Sequence, residues 1–238
     1  MLKLVNVIKT FGDIKALEDV SFDVGDGEFV FITGPSGSGK STIIKLILQQ
    51  ILPDSGEILL DDYKVGDLKP KELSKMRQKI GVVFQDFKMI NERTLGENIE
   101  IVLAVAGVPQ KEWKDRVTHV AELVGLGKKL NYFPLQLAGG ELQRGALARA
   151  LVINPSLILA DEPTGNLDWG TAEGIMDLFE KINKEGKTVI MATHHLGIIE
   201  KHKKRTISLE DGKIVSDTGA KKDFKKHEKN DEKESDKD

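Results

Sequence analysis

The chain has 238 residues, a formal net charge of −3, and 39% hydrophobic against 31% charged residues, which suits one large domain or a core with a subdomain and offers no bulk basic surface, so no nucleic-acid partner is expected. It contains no cysteine, which excludes disulfides and thiolate metal sites and fits a reducing compartment. No apolar run approaches the roughly 18 residues of a spanning helix, and residues 1–6 turn polar too soon for a signal peptide, so any membrane role is expected to run through a partner.

Residues 2–9 partly alternate between apolar and polar and predict a half-buried strand. A turn at Phe11-Gly12-Asp13 leads to a second strand over 16–24, and Gly25-Asp26-Gly27 turns into a third over 28–33. The first two predict a small antiparallel β layer beside the third. Gly34-Pro35-Ser36-Gly37-Ser38-Gly39-Lys40-Ser41-Thr42 fits the pattern G-x-x-x-x-G-K-[ST]. A strand before it and apolar residues at helical spacing after it separate this stretch from a chance glycine-rich turn. Glycines let several backbone N–H groups converge on the β- and γ-phosphates, and the following helix adds its positive end. Lys40 supplies a mobile point charge, and the Ser41 hydroxyl can ligate Mg²⁺. The pattern predicts binding of a nucleoside triphosphate.

The helix from residue 40 is expected to run to about 52, where Pro53-Asp54-Ser55-Gly56 stops it. Residues 57–60 read as a short strand, 69–77 as a surface helix, and 80–84 as an apolar strand ending at Gln85. From about 86 to 153 the pattern turns helical, over 97–106, 110–124 and 141–153, which predicts an inserted helical subdomain. Strands return at 157–161 and 188–193. Between them a helix over 171–183 carries Ile175, Met176, Leu178, Phe179 and Ile182 as its expected buried stripe. Residues 206–215 suggest a terminal hairpin about Gly212. The stretch 218–238 holds seven lysines and seven acids and is expected to be a disordered, charged tail.

The apolar strand at 157–160 ends in Asp161-Glu162. On its own that is an ordinary strand end capped by acids. Downstream of a phosphate loop, Asp161 suits the Mg²⁺ shell and Glu162 suits a general base that polarises the attacking water.

Leu137-Ala138-Gly139-Gly140-Glu141-Leu142-Gln143-Arg144 resembles the signature of the ATP-binding cassette (ABC) family, usually L-S-G-G-Q/E. The resemblance covers residues 1 to about 217. It implies an α/β P-loop NTPase core with an antiparallel β subdomain and an inserted α-helical subdomain, an ATPase using ATP and Mg²⁺, and a head-to-tail homodimer. It also implies roles for matching positions. Phe11 would stack on adenine, and residues 34–42 would hold the phosphates. Ala138, Gly139, Gly140 and Glu141 would meet the γ-phosphate held by the opposite copy. Gln85 would sense Mg²⁺, Gly165-Asn166-Leu167-Asp168 would cross the dimer interface, and His194 would act as the switch on the γ-phosphate.

One departure is Ala138, where the family carries serine. Alanine cannot cap a helix or bond a nucleotide through its side chain, so slow turnover is expected. Another is His195, where an acid is more usual. Residues 159–168 are shared by the cell-division branch of the family and its relatives in lipoprotein release and macrolide efflux, whereas residues 84–99 are similar to the cell-division branch, to which Arg93-Thr94 and residues 104–109 also tilt the reading. That branch implies an integral membrane partner with four spans, a place at the cytoplasmic face of the membrane at the septum, and control of peptidoglycan hydrolases. An ATPase of a lipoprotein-release or macrolide-efflux transporter, and an ATP-gated scaffold with low turnover, stay open beside it.

Overall fold

Strand residues that alternate between two cores set the layers of this molecule. The computed structural model describes residues 1–219. β1 (Leu2–Phe11) and β2 (Ile14–Val24) pair antiparallel, and β4 (Ser55–Leu60) and β5 (Tyr63–Val65) complete a four-stranded antiparallel sheet in the order β2-β1-β4-β5. A second sheet contains β3 (Phe29–Thr33), β6 (Ile80–Phe84), β7 (Leu157–Asp161), β8 (Thr188–Ala192), β9 (Arg205–Glu210) and β10 (Lys213–Asp217). Its order is β10-β9-β3-β8-β7-β6, parallel except for the antiparallel edge strand β10.

Val30 and Ile32 of β3, Leu157 and Leu159 of β7, and Ile190 of β8 face a core shared with β1, β2, β4 and α1 (Lys40–Ile47). Their neighbours Phe31, Ile158, Ala160, Val189 and Met191 face the opposite core. There they meet α3 (Leu95–Ala106), α4 (Trp113–Leu123), α5 (Gly139–Leu151) and α6 (Trp169–Lys184). A strand buried on both faces must be largely apolar, which is why 157–160 and 189–192 read as continuous apolar runs. α3, α4 and α5 form the inserted helical subdomain between β6 and β7. α2 (Pro70–Arg77) lies on the surface with only Met76 buried, as its polar sequence requires. Among the described residues no helix is long and apolar enough to cross a membrane.

α1 differs from the sequence reading, which carried it to about 52. It ends at Ile47 because Gln49 turns left-handed (φ 48°) and closes the end with two backbone bonds. Gln50 N–H donates to Lys45 O and Gln49 N–H to Leu46 O, both at 2.9 Å, so the helix stops before the proline is reached. β5 and α7 (Leu196–His202) are additions, each too short for a period to show. Leu178 is half-buried, whereas the rest of the α6 stripe is buried. The expected disordered tail lies, from residue 220 on, outside the described residues.

The loop that leads from β6 into α3 is unusually well tied. Phe87 and Lys88 both take positive φ (58° and 50°), and Arg149 of α5 donates to their carbonyls at 2.7 and 2.6 Å. Thr94 and Glu97 cap α3 reciprocally, Thr94 N–H donating to Glu97 Oε2 at 2.7 Å. Fully buried Asn98 accepts from Ile90 N–H at 2.8 Å and donates to the Ile90, Arg93 and Thr94 carbonyls. Asn98→Leu keeps the branched outline of the side chain and strands those groups. We expect it to cost about 2 kcal/mol, read as a lower urea midpoint with an unchanged slope.

Candidate functional site

The loop after β3 threads between two pieces of backbone. At Gly34 (φ 149°) a Cβ would lie 2.1 Å from Leu209 O of β9, and at Gly39 (φ 106°) 2.6 Å from Ala16 O of β2. Only glycine fits either place. Lys40, 7% exposed, reaches back across the loop and donates to Gly34 O at 2.8 Å and Pro35 O at 3.0 Å. Its ammonium is 3.9 Å from Glu162 Oε1. Gly39, at the N-cap of α1, contributes no side-chain cap. The first-turn N–H groups of α1 and its positive end therefore face the cleft. Ser38 is buried, and its hydroxyl lies 2.6 Å from where a Gly34 Cβ would be.

The end of β7 supplies the acids. Ser41 Oγ donates to Asp161 Oδ1 at 3.0 Å. Burial pushes the Asp161 carboxyl above its ordinary range and the Glu162 charge adds to this, while the Ser41 bond and the Lys40 charge oppose it. A half-buried carboxylate held this way gains from a nearby cation, so the donor set fits Mg²⁺. Among the described residues no group of three or more His, Asp or Glu is placed to hold a metal. An ion on Ser41, Asp161 and Gln85 would complete its shell with phosphate oxygens and water, the habit of Mg²⁺.

Glu162 leaves the strand with φ 48°, yet its N–H still donates to Ala192 O of β8 at 2.9 Å. Strain of this kind persists only where surrounding bonds enforce it. His194 provides two such bonds: its ring Nδ1 lies 2.8 Å from Glu162 Oε1, and its backbone N–H donates to Oε2 at 3.3 Å. Pro35, Ser36, Gly37, Gly39, Lys40, Ser41, Thr42, Gln85, Glu162 and His194 line a single cleft of about 440 Å³. All ten were expected from the sequence.

The remaining expected residues lie elsewhere. Phe11 ends β1, 45% exposed, with Lys9 Nζ 5.4 Å from its ring centroid. Ala138 is the N-cap of α5 and makes no side-chain bond. Glu141 reaches back to accept from Ala138 N–H at 3.2 Å and pairs with Lys129. That lysine, with the Ala138 bond, holds the Glu141 carboxyl below its ordinary range. The start of α5 abuts the start of α6, where a Cβ on Gly140 would meet Thr171 Cγ2 at 2.3 Å and one on Gly139 would meet Leu167 at 3.7 Å. Asp168 caps α6, accepting from Thr171 N–H at 3.0 Å and from its hydroxyl at 2.6 Å. None of residues 138–141 or 166–168 lines the cleft. One link escaped the sequence reading. Gln85 Nε2 donates to Asn166 Oδ1 at 3.0 Å and Asn166 Nδ2 to Gln85 O at 3.1 Å, joining the cleft to the start of α6. The two residues are 81 apart in the chain, and no local pattern signals such a pair.

Comparison with known proteins places these features. The model of the ABC transporter family matches residues 17–165. The chain is 46% identical over 218 residues to the cell division ATP-binding protein FtsE of Bacillus subtilis, covering 91% of this chain and 96% of that one. It is 45% identical over 202 residues to FtsE of Mycobacterium tuberculosis, covering 85% and 88%. Among solved structures, the dimeric post-hydrolysis state of the ATP-binding cassette MJ0796 bound to ADP and Pi superposes with a TM-score of 0.82 at 41% identity, covering 91% of this chain and 97% of that one.

The raised Asp161 carboxyl fixes the sign of a stability test. The unfolded state loses this proton near 3.8 and the folded state at higher pH, so Asp161 costs stability once pH rises through that window. Solvent contact keeps the cost small. In calorimetry without nucleotide, Asp161→Asn should melt about 2 °C higher at neutral pH and match the parent below the window. It should also lose the extra stabilisation that Mg²⁺ adds to ATP.

Proposed function

The chain belongs to the ABC transporter family of ATPases, and on that footing we propose that it is the ATP-hydrolysing subunit of a cell-division complex of the FtsE–FtsX type. Residues 1–217 form its ATP-binding domain, with a helical subdomain over about 86–153. Two copies pair head to tail and enclose two ATP molecules. One observation carries this reading. Lys40, Ser41, Gln85, Glu162 and His194 share one cleft, whereas 138–141 open on a different part of the same chain. On this reading residues 138–141 meet the nucleotide held by a second copy. The dimeric state of the MJ0796 cassette supports the same arrangement.

In each site the loop 34–42 wraps the phosphates, and Lys40 transfers its hydrogen bonds from the Gly34 and Pro35 carbonyls to phosphate oxygens. Phe11 stacks on the adenine. Mg²⁺ on Ser41, Gln85 and Asp161 would neutralise charge on the β- and γ-phosphates. Glu162 takes a proton from the attacking water at its carboxylate, and His194, 2.8 Å away through Nδ1, orients that carboxylate against the γ-phosphate. The Gly139 and Gly140 N–H groups of the other copy, with the α5 N-terminus, complete the charge stabilisation, and Asn166, Leu167 and Asp168 lie at the seam between copies. Closure moves Gln85. Arg149 and Asn98 tie the following loop to α5 and α3, so the movement reaches the helical subdomain as a rigid displacement.

The subunit works at the cytoplasmic face of the membrane, at the division septum, held there by an FtsX-type integral membrane partner. Its output is control of peptidoglycan hydrolases outside the membrane, with no cargo pumped. The two FtsE relatives and the 84–99 segment support this assignment. A second reading, an ATP-gated scaffold with little turnover, draws on Ala138, whose side chain makes no cap.

Glu162→Gln should bind ATP normally and lose about 10²- to 10⁴-fold in kcat, the range for a general base. Ala138→Ser should raise turnover by about tenfold, the worth of one hydrogen bond to a charged group. No gain in that variant would remove the account of slow turnover. The functional assignment is tested by pulling down Glu162→Gln from native membranes with ATP and Mg²⁺. A four-span protein with cell-wall hydrolases or their activators is the expected catch. A lipoprotein-release or macrolide-efflux permease would contradict it, and the absence of any membrane protein would favour the scaffold.

A further inference from the structure

β6 and β7 end side by side, Phe84 pairing with Asp161, so the loops that leave them run together. Gln85 follows β6 directly, and Gly165-Asn166 lies a few residues beyond β7. The two loops meet through a pair of hydrogen bonds that both end on Gln85. Asn166 Nδ2 donates to Gln85 O at 3.1 Å, and Asn166 Oδ1 accepts from Gln85 Nε2 at 3.0 Å. One side chain thus grips the backbone and the amide of the same residue. That sets the direction of the amide relative to its own main chain.

The orientation of both amides follows from one fixed group. A backbone carbonyl only accepts, so the Asn166 atom facing Gln85 O must be its NH₂ group. Oδ1 then faces the Gln85 amide and requires a donor, so Nε2 is the atom that Gln85 turns to Asn166. Oε1 is left over on a side chain that lines the phosphate cleft, and among the described residues it accepts no hydrogen bond. Reversed, the amide would set two oxygens against each other and offer the cleft an NH₂ group, a donor that repels a cation. Gly165 supplies the room. A Cβ there would lie 2.9 Å from Gln85 Nε2 and 3.2 Å from its Cδ, so the amide packs on bare backbone. Gly165 is not among the glycines with positive φ; the contact, and not the backbone conformation, calls for glycine.

We propose that Asn166 is a positioning residue for the metal, holding the Gln85 amide so that Oε1, and not Nε2, is presented to the cation that accompanies ATP. Gly165 assists by leaving the amide space to lie in that direction. The inference rests on the reading of Gln85 as a Mg²⁺ ligand above. Asn166 also stands at the proposed seam between copies, so the seam and the metal site share one residue.

The test measures ATP affinity of the full-length Glu162→Gln chain by calorimetric titration, once with Mg²⁺ and once with a chelator. The ratio of the two dissociation constants is the gain that Mg²⁺ brings, read without turnover. Asn166→Leu should keep the affinity in chelator and lose about threefold to tenfold of the gain, the worth of one hydrogen bond. Gly165→Ala should lose a comparable part, because its methyl pushes the Nε2 end aside. In a Gln85→Ala background, Asn166→Leu should change nothing further, since the side chain it orients is gone. A full gain in either single variant overturns the proposal. So does a loss that persists in the Gln85→Ala background, which would assign Asn166 to the seam alone. Should Gln85→Ala itself keep the whole gain, the underlying reading of Gln85 as a ligand fails; a gain lost in Gln85→Ala but kept in Asn166→Leu sinks the positioning role alone.

Discussion

The parallel register of four strands is the constraint on which the site depends. Phe84 pairs with Asp161, Asp161 with Ala192, and Ala192 with Ile32, so β6, β7, β8 and β3 reach one edge in step. The next residues along each strand are Gln85, Glu162, Thr193 and Thr33. One row across the sheet thus delivers the loop glutamine, the acid, the segment carrying His194, and the entrance to the phosphate loop. Parallel strands present their carboxyl ends together, and that is where ligands sit in sheets of this class. A slip of one residue in any of these pairings would turn its strand over and take its functional residue out of the row.

The charges gathered along that row explain its tension. Lys40 lies near Glu162, Asp161 is half-buried and reluctant to ionise, and Glu162 holds a left-handed backbone conformation. The buried acid and the left-handed residue cost folding free energy, whereas Lys40 and Glu162 attract each other. The site is built for occupancy more than for stability. The tie from Gln85 to Asn166 then links that row to the start of α6, against which the start of α5 also packs. A chain of direct contacts therefore joins the cleft to the surface carrying residues 138–141.

Much of this was legible in the sequence, because phosphate binding demands backbone shapes that only a glycine pattern provides. Residues 34–42, the apolar strand into Asp161-Glu162 and the helical stretch between β6 and β7 all stand where the pattern places them. The misses share a physical cause. α1 ends early through backbone bonding at Gln49, a non-glycine residue in a conformation that glycine usually signals. α7 is held by contacts with α6, and its own seven residues carry no readable period. Asp168 was read only as a seam residue, yet it also caps α6 within its own chain.

The central claim is that one chain holds only part of an ATP site and a second copy completes it. The most direct measurement is the solution mass of the Glu162→Gln chain by light scattering, with and without saturating ATP and Mg²⁺. The account predicts the mass of one chain without nucleotide and of two with it, and a return to one chain when Gly139→Asp is added. A Glu162→Gln chain that binds ATP and keeps the mass of one copy would contradict it.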